Sequence, residues 1–319
     1  MKKIAILGNG FDIDLGLNTR YSDYAKSTYW PFSEGNSKSG LGVELDKASS
    51  NSNWFDIEQT LENYSRKFFR QSLPVRYSQG YFNNCIADYH SLVTSLHDYL
   101  KNEEAQACIN KDSIAAMVLQ AIVKNGKYEN IYTFNYTDLA TIKQKLDLPA
   151  NTGEKITHVH GSIKENNIII GFNEQTDVPD DLQCMYKTFS PHYRSNTLRY
   201  DIAEADEITI FGHSLSPIDY TYFSDFFVEL CRSSKSRKES KRVTIFTYDN
   251  ASRIEIMRQL RNMNEKSTEL LFGLNKFEVI CTKDGVTEQV KRFIEYEWQT
   301  SSERESILFS HYRQNNNLY

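Results

Sequence analysis

The sequence predicts an α/β domain built on a mostly parallel sheet, with helices on both faces and a helical insertion after the first strand. Three observations predict it. Short β-prone apolar runs recur at Ile4-Leu7, Asn130-Phe134, Ile156-Val159, Ile168-Ile170, Ile208-Phe211, Val243-Thr247 and Phe277-Cys281. Most of these runs are nearly continuous rather than alternating, as strands covered on both faces require. Between the first run and the second, helical spacing dominates.

The first run ends in Gly8-Asn9-Gly10-Phe11-Asp12, a tight turn into a helix. Glycines there let the backbone turn sharply and approach a pyrophosphate, which would face free N–H groups and the positive helix end. An ordinary strand-to-helix turn reads the same way. The dehydrogenase pattern GxGxxG is broken at Ile13, and the ribose-binding acid expected some 20 residues later does not follow. No GxxxxGK[ST] occurs, which disfavours kinase-like chemistry.

The segment Ser33 to Asn53 is rich in Ser, Gly, Asn and Lys and reads as a mobile loop. Two helical stripes follow it, one of Trp54, Ile57, Leu61, Tyr64 and Phe68 and one of Tyr81, Cys85, Tyr89, Leu92, Leu96 and Tyr99. A third helix is expected from an Asp112 N-cap, with Ile114, Met117, Val118, Ala121 and Ile122 facing inward. Glu58, on the first stripe's helix, either faces the crevice from the insertion or sits at its rim in water, and burial statistics favour the rim.

The second run ends in Thr133-Phe134-Asn135-Tyr136-Thr137-Asp138. Asn135 both donates and accepts, which suits holding a ribose hydroxyl, an amide or an attacking water, and equally suits a helix cap. The third ends in His158-Val159-His160-Gly161-Ser162. A strand would place His158 and His160 on one face, and Gly161 would let a ligand approach His160 closely. A general base ranks ahead of a metal pair there, because no HExxH or acid-rich partner sequence is present.

Phe211-Gly212-His213-Ser214 through Asp219 repeats the glycine-turn theme, with Pro217 placed for a first helical turn. Asp249, after Val243-Thr247, suits either an adenosine ribose or a helix cap. Each segment has a bland reading, but strand ends in a parallel sheet lie along one edge and converge on one crevice.

The 319-residue chain carries a formal charge of -5, and its basic run Arg232 to Arg242 is serine-rich and reads as a solvated loop. Nucleic-acid binding is disfavoured accordingly. Five dispersed cysteines without a CxxC point to neither a disulfide frame nor a zinc site. A cytoplasmic protein is expected, because Ile4-Leu7 is too brief for a signal peptide or a membrane span. The polar stretch Ser301 to Tyr319, with an apolar patch at Ile307-Phe309, is a tail that docks or frays.

Taken in order, Leu7 to Asp12 with Gly16-Leu17 and Tyr21, Trp54 with Glu58 and Leu61, Phe134-Asn135-Tyr136, His158-Val159-His160-Gly161, and Gly212-His213-Ser214-Leu215 with Asp219 resemble the bacterial abortive infection AbiH family. The resemblance implies phage defence, in which an infected cell stops growing or dies before the phage matures. More distantly, the order is similar to the sirtuin-type NAD-binding fold. That likeness implies a Rossmann-like nucleotide-binding domain over 1–30 and 126–300, interrupted by the helical insertion 50–125 and followed by the tail 301–319.

The same likeness implies His160 acting at the nicotinamide ribose and Asn135 positioning ribose or water. It places Gly8, Asn9, Gly10, Phe11, Asp12, Gly212, Ser214 and Asp249 around the cofactor. The sequence departs from the sirtuin pattern at Thr137, where an acid is usual, and lacks the cysteine quartet of the sirtuin zinc. NAD is thus the expected ligand or substrate, without a metal, and hydrolysis at the nicotinamide-ribose bond is the expected activity. A nucleotide-sensing or protein-interaction module is the alternative, and a nuclease comes third. A phage-encoded trigger and a homo-oligomer are the expected partners, with no membrane.

Overall fold

The computed structural model describes residues 1–33, 36–51, 55–70, 79–150, 152–232 and 240–299. Six strands, β1 (Lys3–Leu7), β2 (Tyr128–Thr133), β3 (Lys155–His158), β4 (Glu207–Phe211), β5 (Arg242–Thr247) and β6 (Lys276–Cys281), form one sheet in the order β3-β2-β1-β4-β5-β6. Every pairing is parallel. The α/β expectation is met, and the order is that of the doubly wound Rossmann arrangement, which reverses direction between β1 and β4.

Alternation along β1 shows how both faces are covered. Ile4 and Ile6 enter a core with α8 (Leu198–Glu204), α9 (Tyr220–Leu230), α10 (Asn250–Met263) and α11 (Thr268–Leu274). Ala5 and Leu7 enter the opposite core with α1 (Asn9–Asp14), α6 (Ile114–Asn125), α7 (Leu139–Lys145) and a helix over 288–299. Every β1 residue is buried, which explains why the strand reads as a continuous apolar run.

A third core lies within the insertion. It joins α2 (Tyr21–Ala25), α3 (Gly40–Asn51), α4 (Ile57–Arg70) and α5 (Gln79–Gln106) to residues 163–186. The stripes expected around Leu61 and Leu92 form α4 and α5, while Trp54 lies outside the described residues. By contrast α6, grouped by sequence with the insertion, packs on the sheet.

Several expectations are corrected. Gly40–Asn51 is helical rather than looped, because Leu41 and Leu45 are fully buried on one side of it. The run Ile168-Ile170 is not a sheet strand; its isoleucines are buried, and Ile168 and Ile170 close the insertion core. The N-cap of α6 is Ser113 rather than Asp112, with Ser113 Oγ accepting from Ala116 N at 3.1 Å. Arg242 opens β5, whereas 233–239 and the tail 301–319 lie outside the described residues. Among the described residues no helix is long and apolar enough to cross a membrane.

Candidate functional site: the crevice at the switch point

In a parallel sheet the strands' carboxyl ends share one edge, and the change of direction between β1 and β4 opens a crevice there. A cleft of about 1030 Å3 occupies this position, lined from β1, β2, β4 and β5 ends and from the insertion. Asn135, His160, Asn9, Gly10, Asp12, Gly212 and Ser214 all line it, so most of the residues predicted from sequence are brought together.

The glycine turns do something other than expected. Gly8 N donates to Phe211 O and Gly10 N to Gly212 O, each at 2.9 Å, so these N–H groups serve the joint between the β1 and β4 turns. A Cβ on Gly8 would lie 2.5 Å from His213 Cα, and one on Gly10 would lie 2.7 Å from Gly212 Cα. Close backbone packing therefore demands these glycines. Phe11 turns into the sheet core, edge-on to Phe211 at 5.7 Å, because the first turn of α1 rotates it away from the crevice.

Asn135 is not a helix cap; that role falls to Asp138, whose carboxylate accepts from Thr141 N at 3.2 Å. Instead Asn135 Nδ2 donates to Asp12 Oδ1 at 2.6 Å and to Gly8 O at 3.1 Å. Thr137 Oγ1 donates to the other Asp12 oxygen at 2.6 Å. Asp12, reaching across from α1, thus takes hydrogen bonds from both Asn135 and Thr137. The two acceptors on Nδ2 fix the amide's orientation, leaving Oδ1 buried with no hydrogen-bond partner among the described residues. Burial raises the Asp12 pKa to about 7, against the lowering effect of its hydrogen bonds from Thr137 and Asn135.

The two strand histidines part company. Because β3 ends at His158, residue 160 follows a turn rather than the alternation of a strand. His158 lines a separate polar cavity of about 340 Å3 beside β3, with Nδ1 at 3.1 Å from Asn135 O. His160 enters the main crevice, edge-on to Phe134 at 5.2 Å. The space left by Gly161 is filled by the Asn167 carbonyl and not kept for a ligand.

A buried charge cluster surrounds His160. Lys187 Nζ lies 3.4 Å from His160 Nε2, 3.1 Å from Glu58 Oε2 and 3.7 Å from Asp219 Oδ1. His213 Nε2 lies 3.5 Å from Asp219 Oδ2, and His213 Nδ1 accepts from Leu215 N at 3.0 Å. Burial, reinforced by the Lys187 ammonium, pushes His160 down to about 3, so the imidazole is neutral at physiological pH. Burial raises Glu58 to about 7 despite Lys187. Burial opposes ionisation of Asp219 too, but Lys187 and the two histidines hold its carboxyl well below the usual range.

Sequence reasoning missed Lys187 altogether and placed Glu58 at the rim, whereas Glu58 faces the crevice and also accepts from Gly171 N at 3.2 Å. Asp249 lies apart from this cluster, capping α10 through Ser252 N at 3.0 Å.

The all-parallel sheet order, with a crevice at its switch point, defines a Rossmann-like α/β protein. The model of the bacteriophage abortive infection AbiH family matches residues 4–239, and the chain belongs to that family. Membership assigns it to phage abortive infection. The match covers the insertion as well as β1 through α9. No curated protein and no solved structure matches the chain.

Proposed function

We propose that the crevice binds NAD and hydrolyses the bond between nicotinamide and ribose. The observation that carries this reading is Asn135, whose amide is clamped by Asp12 and the Gly8 carbonyl so that Oδ1 is left without a hydrogen-bond partner among the described residues, in a crevice that a neutral His160 also lines. The glycosidic bond breaks through an oxocarbenium-like state, so a site needs a held ribose and a placed water more than a strong acid. Asn135 Oδ1 suits an acceptor for water or a ribose hydroxyl, and the His160 imidazole suits the second acceptor. Nicotinamide departs with the bonding electron pair, neutral, and water adds to the ribose C1′, losing one proton to solvent. Loss of NAD would arrest an infected cell without a further effector.

NAD turnover by the purified protein, with and without phage-infected lysate, tests this reading, with His160→Ala and Asn135→Ala alongside. Conversion of NAD to nicotinamide and ADP-ribose that both variants lose by a hundredfold or more is expected. No consumption under either condition, or unimpaired toxicity of His160→Ala, overturns it.

One observation favours a second reading, in which the same crevice holds a nucleotide and signals. An imidazole pushed down to about 3 is a weak base. Mass spectrometry of ligand retained through gentle purification separates the two readings. Intact NAD on an inert wild type supports sensing, and ADP-ribose supports cleavage. Under this second reading, the helical insertion contacts a phage component or another subunit.

A further inference from the structure

β3 is an edge of the sheet, and its unused main chain faces a cavity. Val159 N donates to Thr133 O at 2.8 Å, which fixes the phase of the parallel ladder with β2. Residues 155, 157 and 159 therefore turn their N–H and C=O groups to β2, and Ile156 and His158 turn theirs outward. No hydrogen bond from elsewhere in the described residues reaches those outward groups. Both residues are half-buried rather than sealed in the core.

The cavity, about 340 Å3, is lined by all of β3. Successive strand residues point to opposite faces, so a space that touches every one of them runs along the backbone edge rather than over one face. Residues 195–197 form a side wall, which Thr197 Oγ1 fixes through Tyr132 OH at 2.9 Å and Asp201 Oδ2 at 2.7 Å. Gly161 and Asn167 close the end beyond His158. Every lining residue is at least partly exposed, so the slot opens to solvent.

An extended backbone fits such a slot. The outward groups of β3 repeat on alternate residues, ~6.6 Å apart, which is the repeat that another extended chain presents. A second copy pairing sheet to sheet is opposed by the shortness of β3, by Lys155 at its start and by the 195–197 wall, which a whole sheet would have to displace. A single peptide segment meets none of these obstacles.

We propose that the β3 edge docks an extended segment of a partner protein, which joins the six-stranded sheet as one further strand outside β3. Ile156 and His158 supply its main-chain hydrogen bonds, and the 195–197 wall selects among its side chains. The docked strand lies next to the crevice, because His158 Nδ1 is 3.1 Å from Asn135 O. None of this depends on which ligand the crevice holds.

A library of short random peptides, selected on the full wild-type chain and counter-selected on Ile156→Pro, supplies the probe. Proline at 156 removes an N–H that the sheet does not use, and edge strands tolerate it. Peptides are expected that bind wild type about tenfold or more tighter than Ile156→Pro, the size of one main-chain hydrogen bond. N-methylation along such a peptide should abolish binding at every second residue and spare those between, since alternate amides face β3. Amide exchange read by NMR should slow at Ile156 and His158 in the complex. Failure to obtain a peptide overturns the inference, as does N-methyl sensitivity without the period of two or unchanged exchange at Ile156 and His158. Dimerisation of wild type that Ile156→Pro abolishes, with no peptide obtained, gives the edge to a second copy instead. If Ile156→Pro does not fold, selection on wild type alone followed by the N-methyl scan and the exchange measurement decides the matter.

Discussion

Lys187 Nζ stands 3.4 Å from His160 Nε2, so the insertion side of the molecule reaches the crevice histidine and adds to the burial that keeps it neutral. Lys187 lies just beyond a segment that packs in the insertion core, and its partner Glu58 sits on α4 of that core. Any movement of α4 relative to the sheet would therefore be felt at the imidazole.

Replacing Lys187 with Met removes the ammonium while keeping much of the packing. His160 then faces Asp219 Oδ1 at 3.8 Å without the competing ammonium. The His160 pKa is expected to climb from about 3 towards the ordinary histidine range, read from its ring signals in an NMR titration. Stability should fall by roughly 3–5 kcal/mol, because Asp219 and Glu58 lose their shared partner. A His160 titration that does not move refutes the coupling.

Asp12→Asn tests the raised carboxyl at the Asn135 clamp. With a folded pKa of about 7 against the ordinary aspartate value of 3.8, the native state holds a proton that the unfolded state has released, so this group's stability contribution is lost as pH rises through that window. The slope approaches ~1.4 kcal/mol per pH unit between the two values. Asp12→Asn removes it, so melting curves of variant and wild type should diverge in the variant's favour from pH 5 to pH 7 and run parallel above. Convergence with rising pH would contradict the assignment.

The strands and most of the crevice were legible in the sequence because their signals are local. Ile4-Leu7 is continuous because both faces of β1 are covered, and Gly8, Gly10 and Gly212 stand where two backbones meet. The same glycines misled as to purpose, since close packing of two turns and a phosphate cradle demand the same residue. Lys187 carries no such signal. It opens the short 3-10 turn Lys187–Phe189 in an irregular segment, and only tertiary packing puts its ammonium beside Glu58 and His160. The polar composition of Gly40–Asn51 likewise hid a helix held by the burial of Leu41 and Leu45.

Gly212→Ala and Gly126→Ala separate crowding from backbone strain. Both glycines have positive φ, +64° and +63°, so a Cβ costs each roughly 1–2 kcal/mol of left-handed strain. At Gly126 nothing lies within 4 Å of the added carbon, whereas at Gly212 it would lie 2.5 Å from Gly10 Cα. Denaturant midpoints should show Gly212→Ala losing an additional ~1–3 kcal/mol. Equal losses would mean that the β1 and β4 turns can spread apart.

The far edge of the sheet carries the last prediction. Lys3, fully buried, places its Nζ 2.9 Å from both Glu207 on β4 and Glu297 on the 288–299 helix. Tyr128 OH donates to the other Glu297 oxygen at 3.2 Å, so one ammonium ties that helix to the sheet's amino-terminal edge. In Lys3→Met two carboxylates lose their shared cation inside the protein, which costs roughly 3–5 kcal/mol. Burial already raises the Glu297 pKa against the pull of Lys3, and without that pull it rises further. Protonation then relieves the variant, so its stability deficit should narrow as pH falls from 8 to 5. Hydrogen exchange should accelerate first in 288–299, ahead of β1, because the helix has fewer ties to the sheet than the strand. Uniform acceleration across the sheet, or a deficit that does not depend on pH, would show that Lys3 is not the clamp.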